Sequence, residues 1–294
     1  TRLVTGRRAA SITASSAAKN TTSHCAAEVP DPHEQNKDIW DRLAREAYPL
    51  ARPAGEKEIK NPKFITNPWG WIGDDVNGKR VLCLAAGGGK HSVLFALAGA
   101  ETTVVDISPA MLELDRQQAR NRGLDIRIVE ASMDNLAPLE KEHFDIVIQP
   151  VSTCYVPDLL TVYREAARVL KPSGIYIMQH KQPQSLQAGL RPVGVGYVVQ
   201  ERYYRSGPLP QISGVNPVRE EGAQEFVHRW DDILGGLCKN GFTIEDVAEP
   251  RHADFNAAAG TFKHRSCYLP PYIAIKARRR EDYHAHDLRI VLPS

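Results

Sequence analysis

A run of three glycines between two apolar segments constrains the fold of this 294-residue chain more than any other feature. The stretch VLCLAAGGGKHSVLFALAGAETTVVDIS, residues 81–108, predicts a strand, a glycine-rich turn, a helix and a second strand that ends at Asp106. In an open parallel sheet, ligands bind outside the carboxyl ends of the strands, usually at the first turn between a strand and a helix. Glycine lets the backbone approach a ligand closely and adopt a positive φ. The stretch therefore predicts a ligand site at this turn.

The alternation of strand-like and helix-like segments continues beyond Asp106. Short apolar runs predict strands over residues 81–85, 102–106, 126–130, 144–149, 175–180, 242–248 and 272–277. Helices are predicted over residues 92–100, 109–122, 159–170 and 223–239. Ser108 is expected to cap the second of these helices and Gly123 to end it. Strands separated by helices pair in parallel, so we expect an α/β fold with an open, Rossmann-like sheet.

Charge and cysteine content exclude several classes of function. The formal net charge is +2 at pH 7 and no basic stripe is present, so we expect no nucleic-acid partner. No stretch of roughly 18 apolar residues is free of charge, so we expect no membrane span. The five cysteines are scattered and form no CxxC pair, which predicts reduced thiols, no metal site and a cytoplasmic location.

The two ends of the chain differ from the alternating part. Residues 1–27 contain several basic residues and no acidic one, which predicts disorder or, as an alternative, an organelle transit peptide. The C-terminal segment RRREDYHAHDLRIVLPS, residues 278–294, is expected to be a solvated appendage. Its HAHD sequence offers two histidines without a third partner, which is too little to predict a metal site.

Two kinds of cofactor site use such a glycine turn. The dinucleotide fingerprint is G-x-G-x-x-G, and here Ser92 stands where the third glycine is required. Read from Ala85, the loop AAGGG is close to G-x-G-x-G with alanine in first place. It resembles motif I of the class I S-adenosylmethionine-dependent methyltransferases. Asp106 is similar to the acid with which members of that family bind the ribose hydroxyls.

Three further segments resemble the same family in the same order. RIVEASMDNL is similar to the segment that meets the adenine, FDIVIQPVSTCYVPD to the strand-four segment, and REAARVLKPSGIYIM to the stretch leading into strand five. The last segment most resembles small-molecule methyltransferases of the quinone-biosynthesis type. The resemblance implies a sheet of seven strands, mostly parallel with an antiparallel last strand, and helices on both faces. It also implies S-adenosylmethionine as the cofactor, held by Ala85, Gly87, Gly89, Asp106, Ile107, Ser132, Met133, Asp134 and Gln149.

The resemblance also suggests a division of the chain. We expect residues 1–30 to form a tail, 31–77 a helical lid segment and 78–278 the methyltransferase domain, with 181–222 inserted in that domain and 279–294 as a second tail. The insertion is expected to form the acceptor pocket. In the lid, the sequence NKDIWDRLAREAYPLA predicts one apolar helical face, formed by Trp40, Leu43, Ala44, Ala47 and Tyr48.

The activity implied by the resemblance is methyl transfer to a small molecule, at O, N or C, by in-line displacement. One departure concerns Cys83, because many members of the family carry an acid there that steadies the glycine loop. A non-catalytic binding protein with this fold is therefore an alternative. A dinucleotide-dependent oxidoreductase is a less favoured one.

Three residues are candidates for a catalytic role. The cofactor carries the reactive methyl group, so the protein mainly aligns the acceptor and excludes water. A base is needed only when the acceptor holds a proton. His91 follows the glycines, Tyr155 follows the fourth predicted strand, and His180 ends the fifth. Of the three, His180 is the favoured base because it ends a strand at the predicted ligand edge of the sheet.

Overall fold

The computed structural model of the chain describes residues 31–214 and 216–283. The predicted N-terminal tail and the HAHD segment lie outside these residues. The strands are β1 Arg80–Leu84, β2 Glu101–Asp106, β3 Ile126–Glu130, β4 Phe144–Gln149, β5 Leu170–Lys181, β6 Phe242–Ala248 and β7 Tyr272–Arg279. The helices are α1 Pro32–Arg45, α2 Glu56–Lys60, α3 Lys63–Thr66, α4 His91–Leu97, α5 Pro109–Arg122, α6 Leu159–Val169, α7 Pro183–Gln187, α8 Gly236–Lys239 and α9 Phe262–Arg265. Two 3-10 helices, Pro49–Ala51 and Thr153–Tyr155, and a π-helical turn, Asp231–Gly235, complete the elements of this part of the chain.

The seven strands of the described residues form one sheet in the order β3-β2-β1-β4-β5-β7-β6. The first five strands pair in parallel, whereas β7 runs antiparallel to both β5 and β6. The order reverses at β1, which pairs with β2 on one side and β4 on the other. The predicted Rossmann-like sheet is confirmed, and its ligand edge is the carboxyl end of these three strands.

Apolar side chains hold helices on both faces of the sheet. In β1, Leu82 and Leu84 belong to one buried cluster and Val81 and Cys83 to another, since successive strand residues point to opposite faces. The first cluster includes residues of α6 and α8, and the second includes residues of α4 and α5. A strand buried on both faces is typical of a parallel sheet.

Local signals fixed the boundaries of several elements. β3, β4 and β6 occupy the predicted residues. α5 begins at Pro109, where the hydroxyl oxygen of Ser108 accepts a hydrogen bond from Met111 N at 3.1 Å. The helix ends at Gly123, whose φ of 63° lies in the left-handed region that a helix C-cap uses.

The predicted helix over 223–239 is wrong in its first half. Residues 223–229 form neither a helix nor a strand, and helical structure begins only at Trp230, next to the π-helical turn. Phe226 N donates to Cys154 O at 2.7 Å, and Leu209 N donates to Glu225 O at the same distance. These tertiary backbone bonds outweigh helix propensity, which is a weak preference per residue.

Strands β5 and β7 are longer than predicted. β5 already begins at Leu170, and after a register shift its regular pairing with β4 resumes at Ile175. β7 continues to Arg279, which is 4% exposed, donates to the carbonyl oxygen of Leu170 and forms an ion pair with Glu142. The expectation of a fully solvated arginine run is therefore wrong for Arg279, because its guanidinium satisfies buried acceptors.

Candidate functional site

The glycine turn packs directly against the end of β2. Gly87 N donates to Asp106 Oδ2 at 2.9 Å. A Cβ atom on Gly87 would lie 3.0 Å from Asp106 Cγ and 2.9 Å from Met111 Cβ, so a larger residue would push the loop off the strand. Gly89 faces the other way, since its Cβ would meet Gln118 Cγ of α5 at 2.9 Å. One glycine thus brings the loop to Asp106 and the other brings it to α5.

Asp106 is a buried carboxylate at the ligand edge. It is 9% exposed, and Ser108 N donates to its second oxygen, Oδ1, at 3.0 Å. Burial raises the pKa of Asp106, and its backbone donors act in the opposite direction. Each carboxylate oxygen has two acceptor positions, so the side chain keeps capacity for two further donors.

Asp115 of α5 steadies the loop in the absence of an acid at position 83. It is fully buried, accepts from Gly88 N at 2.8 Å and also accepts from the hydroxyl of Ser92. Burial raises the pKa of Asp115 to about 7. Burial also raises the pKa of the Cys83 thiol, and the nearby charge of Asp115 adds to that effect. The acid that supports the loop therefore comes from a helix instead of from β1.

Ala85 has a φ of 46°, in the left-handed region that non-glycine residues avoid. An alanine in this conformation destabilises the folded protein by roughly 1–2 kcal/mol. Replacing it by glycine removes this strain, but glycine also gives the unfolded chain more conformational freedom, which offsets part of the gain in stability. We expect Ala85→Gly to increase the free energy of unfolding by about 0.5–1 kcal/mol, measured by denaturant titration. Ala96→Gly in α4 is the matched control and should lower it by a similar amount. A destabilised Ala85→Gly protein would contradict the strain assigned to Ala85.

Helix α1 is tied across the ligand edge by polar contacts. Asp41 accepts from the Ser108 hydroxyl at 2.5 Å and from Ala110 N at 3.0 Å, at the N-terminus of α5. Asn36 donates to Tyr155 O at 2.9 Å and accepts from Gln224 N at 2.8 Å. These contacts join α1 to three other parts of the chain. The helix predicted in this segment is present, although Ala47 and Tyr48 lie beyond its end and do not extend its apolar face.

The beginning of α1 carries a contact that depends on pH. His33 Nε2 lies 2.8 Å from Asp134 Oδ2. Burial opposes protonation of His33, but the hydrogen bond and charge of Asp134 dominate, so the pKa of His33 lies above 6.5. A raised histidine pKa contributes stability that is complete below about pH 6.5 and is lost as pH rises through the folded value.

We expect the difference in unfolding free energy between the wild-type protein and His33→Gln to be largest near pH 6 and to vanish well above the raised pKa. Its size should be at most ~1 kcal/mol, because the pair is partly exposed. Denaturant titrations of both proteins at several pH values measure it. A difference that grows as pH rises would show that the ion pair is not what attaches the start of α1.

A cavity of about 280 Å³ opens between α1, the glycine loop and the carboxyl ends of the strands. Six of the predicted cofactor residues line it, namely Ala85, Gly87, Asp106, Ile107, Ser132 and Met133. Two of the three catalytic candidates, His91 and Tyr155, line it as well. Trp40 of α1 contributes an aromatic wall and contacts the Tyr155 ring edge-on, with ring centroids 5.6 Å apart.

The other three predicted cofactor residues lie behind the wall. Gly89 packs on α5 as described above. Asp134 Oδ2 lies 2.8 Å from His33 Nε2, and Asp134 Oδ1 accepts a hydrogen bond from the Ser132 hydroxyl at 2.5 Å. Gln149 is 1% exposed and donates to Met133 Sδ at 3.2 Å and to Ser152 Oγ at 3.0 Å. Asp134 and Gln149 thus hold residues that line the cavity.

His180, the favoured base, does not line the cavity. It is 1% exposed, its Nδ1 lies 2.7 Å from Thr153 Oγ1, and its Nε2 lies 3.1 Å from the Tyr163 hydroxyl. Burial lowers the pKa of His180 to about 3. Both ring nitrogens have hydrogen-bond partners inside the core, so His180 is not placed to contact a molecule in this cavity. Strand alternation accounts for this placement, since Gln179 and Lys181, on either side of His180, line the cavity.

A buried charge cluster that was not predicted from the sequence lies at the end of β5. Lys181 Nζ lies 2.8 Å from Glu220 Oε2 and 2.6 Å from Glu225 Oε1. Arg219 pairs with the other oxygen of Glu225. Burial opposes protonation of Lys181, but its anionic neighbours dominate and raise its pKa. The alternation of β5 could have indicated Lys181, whereas no sequence signal marks Glu220 as its partner.

The described ranges 31–214 and 216–283 contain neither a candidate metal site nor a candidate membrane span. No group of three or more histidine, cysteine, aspartate or glutamate side chains there could hold a metal ion. No helix in these ranges is long and apolar enough to cross a bilayer.

Comparisons with known proteins agree with this geometry. Residues 82–178 match the family described as methyltransferase domain. The chain is 35% identical over 200 residues to the uncharacterized methyltransferase YbaJ of Bacillus subtilis, covering 67% of this chain and 78% of that protein. It is 30% identical over 152 residues to the ubiquinone biosynthesis O-methyltransferase of Bordetella pertussis, covering 49% and 62%.

Solved structures share the fold. An S-adenosylmethionine-dependent methyltransferase from Mesorhizobium loti superposes with a TM-score of 0.58 at 23% identity, over 71% of this chain and 94% of that one. The geranyl diphosphate C-methyltransferase of Streptomyces coelicolor, solved with S-adenosyl-L-homocysteine, superposes with a TM-score of 0.58 at 16% identity, over 85% and 98%. From the sequence relatives and the site geometry, the chain belongs to the class I S-adenosylmethionine-dependent methyltransferases, and S-adenosylmethionine is its cofactor.

Proposed function

We propose that the protein methylates a small molecule by in-line displacement inside the cavity under α1. The observation that carries this proposal is the cavity itself, which joins the glycine loop and Asp106 to a second wall formed by Tyr155, Lys181, Glu220 and Tyr272. A cavity with a small number of convergent polar groups in an apolar lining is typical of small-molecule sites.

The residues present fit the cofactor. Asp106 has free acceptor capacity for the two ribose hydroxyls, and the glycine loop comes so close to Asp106 that no Cβ fits between them. We propose that Ile107, Ser132 and Met133 contact the adenine, and that the loop from Ala85 to Gly87 lies along the methionine part. The electron-rich face of Trp40 offers a favourable surface to a cationic sulfonium.

The cofactor supplies an electrophilic methyl group on sulfur. The chain contributes alignment and the exclusion of water: α1 covers the site, and its contacts through Asn36 and Asp41 fix that cover. Tyr155 and His91 face the cavity as candidates for contact with the acceptor. Burial lowers the pKa of His91 to about 4, so it is neutral at pH 7.

A reducing compartment suits the chain. The four cysteines of the described part, Cys83, Cys154, Cys238 and Cys267, are all free. Reduced thiols are the rule in the cytoplasm, which is where we propose that the enzyme acts.

Transfer of a labelled methyl group tests the proposal. The protein is incubated with methyl-labelled S-adenosylmethionine and, separately, with the low-molecular-weight, RNA and protein fractions of a cell extract. We expect label in the low-molecular-weight fraction alone. A chiral methyl group should arrive with inverted configuration, as in-line displacement requires. Label in RNA or protein, or retained configuration, would contradict the proposal.

A further inference from the structure

One wall of the cavity is separate from the residues proposed to hold the cofactor. We call it the acceptor wall and define it by Tyr155, Val156, Gln179, Lys181, Glu220 and Tyr272. It is supplied by the 3-10 helix after β4, by the end of β5, by the segment before residue 223 and by the start of β7. The charged groups on this wall are Lys181 and Glu220.

The charges in the cluster around Glu220 balance one another. Glu220 and Glu225 face Lys181 and Arg219, so two carboxylates meet two cations. The four side chains are nearly or fully buried, at 9% exposure or less. A buried cluster of this kind is costly to desolvate, and breaking one partner leaves an uncompensated charge. It therefore holds Glu220 in one place on the acceptor wall.

The two donors to Glu220 use the same oxygen. Lys181 Nζ lies 2.8 Å from Oε2, and the Tyr155 hydroxyl donates to Oε2 at 2.5 Å. Among the described residues, Oε1 has no hydrogen-bond partner, and Glu220 lines the cavity. Oε1 is thus the acceptor that the cluster leaves available to a bound molecule.

We propose that Glu220 Oε1 binds the O–H or N–H group of the methyl acceptor and takes its proton during transfer. This inference rests on the proposed function and narrows the acceptor to hydroxyl or amino compounds. The acceptor oxygen or nitrogen forms a bond to the methyl carbon while the bond from that carbon to sulfur breaks, leaving its electron pair on sulfur. The acceptor proton passes to Glu220. Lys181 and Tyr155 are positioning residues, because they act through Oε2.

Because of the cluster, Glu220→Gln changes one hydrogen-bonding position on the acceptor wall in a defined way. Lys181 and Tyr155 both donate, so they hold the amide oxygen at the place of Oε2 and turn the amide NH₂ toward the place of Oε1. A donor then stands where an acceptor stood, and two donors cannot pair. The variant keeps the size of the side chain while it reverses the hydrogen-bond preference of the wall.

The probes are 4-nitrophenol and 4-nitroanisole, which differ by one methyl group on the oxygen. Binding is measured by titration at saturating S-adenosylhomocysteine, and the phenol and phenolate absorption bands report the proton. We expect the wild-type protein to bind neutral nitrophenol about tenfold or more tightly than nitroanisole, the value of one charge-assisted hydrogen bond. Glu220→Gln should lose this preference, whereas Glu221→Gln, the exposed neighbour, should keep it.

The affinity for S-adenosylhomocysteine separates the possible failures. All three proteins should bind it within about threefold of one another, since Glu220 lies on the acceptor wall. If the wild-type protein binds S-adenosylhomocysteine but shows no preference for nitrophenol, or binds neither probe, the role of Glu220 is overturned and the proposed function stands. If His91→Asn loses the preference and Glu220→Gln keeps it, the role is also overturned. If Glu220→Gln fails to melt cooperatively, Glu220→Asp replaces it and should show a reduced preference for nitrophenol.

Discussion

Replacing Asp106 by alanine is expected to weaken binding of S-adenosylmethionine and S-adenosylhomocysteine by more than ~100-fold. The carboxylate would accept hydrogen bonds from both ribose hydroxyls, and each bond to a charged acceptor is worth about 1.5–3 kcal/mol. The loss is large because the site is buried and water cannot replace the carboxylate freely. Calorimetric titration measures the affinity.

Asp125→Ala is the matched control, since Asp125 is an exposed acid just before β3. Its affinity for S-adenosylhomocysteine should equal that of the wild-type protein. Asp106 also accepts from Gly87 N and Ser108 N, so the variant must first be shown to melt cooperatively. Unchanged binding in a folded Asp106→Ala protein would remove Asp106 from the cofactor site.

The second large effect is expected at Asp115. Asp115→Ala should lower the free energy of unfolding by about 2–4 kcal/mol, because it leaves Gly88 N and the Ser92 hydroxyl without a buried acceptor. The glycine loop then loses its attachment to α5, so binding of S-adenosylhomocysteine should weaken by roughly tenfold or more. Asp115→Asn should cost much less, since the amide oxygen can accept from Gly88 N while its NH₂ donates to Ser92 Oγ.

The same residue predicts a pH dependence of stability. The pKa of Asp115 rises from 3.8 to about 7, mainly through burial. The folded protein therefore holds one more proton than the unfolded chain between these values, and stability falls as pH rises through this window. The stabilisation that protonated Asp115 contributes to the free energy of unfolding is complete below about pH 3.8 and is lost above about pH 7. Its upper bound is roughly 4 kcal/mol. Denaturant titrations of the wild-type protein and Asp115→Asn should diverge across this window, and parallel profiles would contradict the burial of the charge.

Local signals predicted the sheet and six residues that line one side of the cavity. A strand, three glycines and Asp106 follow one another within a short stretch, and backbone geometry alone places such a turn at the ligand edge. Ser108, Pro109 and Gly123 fixed α5 because caps are short-range devices. These features depend only on residues that are close together in the sequence, so they can be recognised in a single sequence.

The wall formed by Lys181 and Glu220 could not be predicted in the same way. Lys181 and Glu220 are 39 residues apart in the sequence, so only the tertiary fold brings them into contact. The non-helical conformation of residues 223–229 is held by backbone hydrogen bonds with Cys154 and Leu209, which helix periodicity does not report. His180 lies outside the cavity for a simpler reason, since adjacent residues of a strand point to opposite faces of the sheet. Asp115 shows a third case, in which an acid missing from β1 is supplied by a neighbouring helix.

The most direct measurement is calorimetric titration of the wild-type protein with S-adenosylmethionine, S-adenosylhomocysteine and NAD. The geometry of the glycine loop and Asp106 predicts affinities on the order of micromolar for the first two and no binding of NAD. Ser92, which replaces the third glycine of a dinucleotide loop, donates to Asp115 and is fully buried. Binding of NAD without binding of S-adenosylhomocysteine would contradict the assignment of the site.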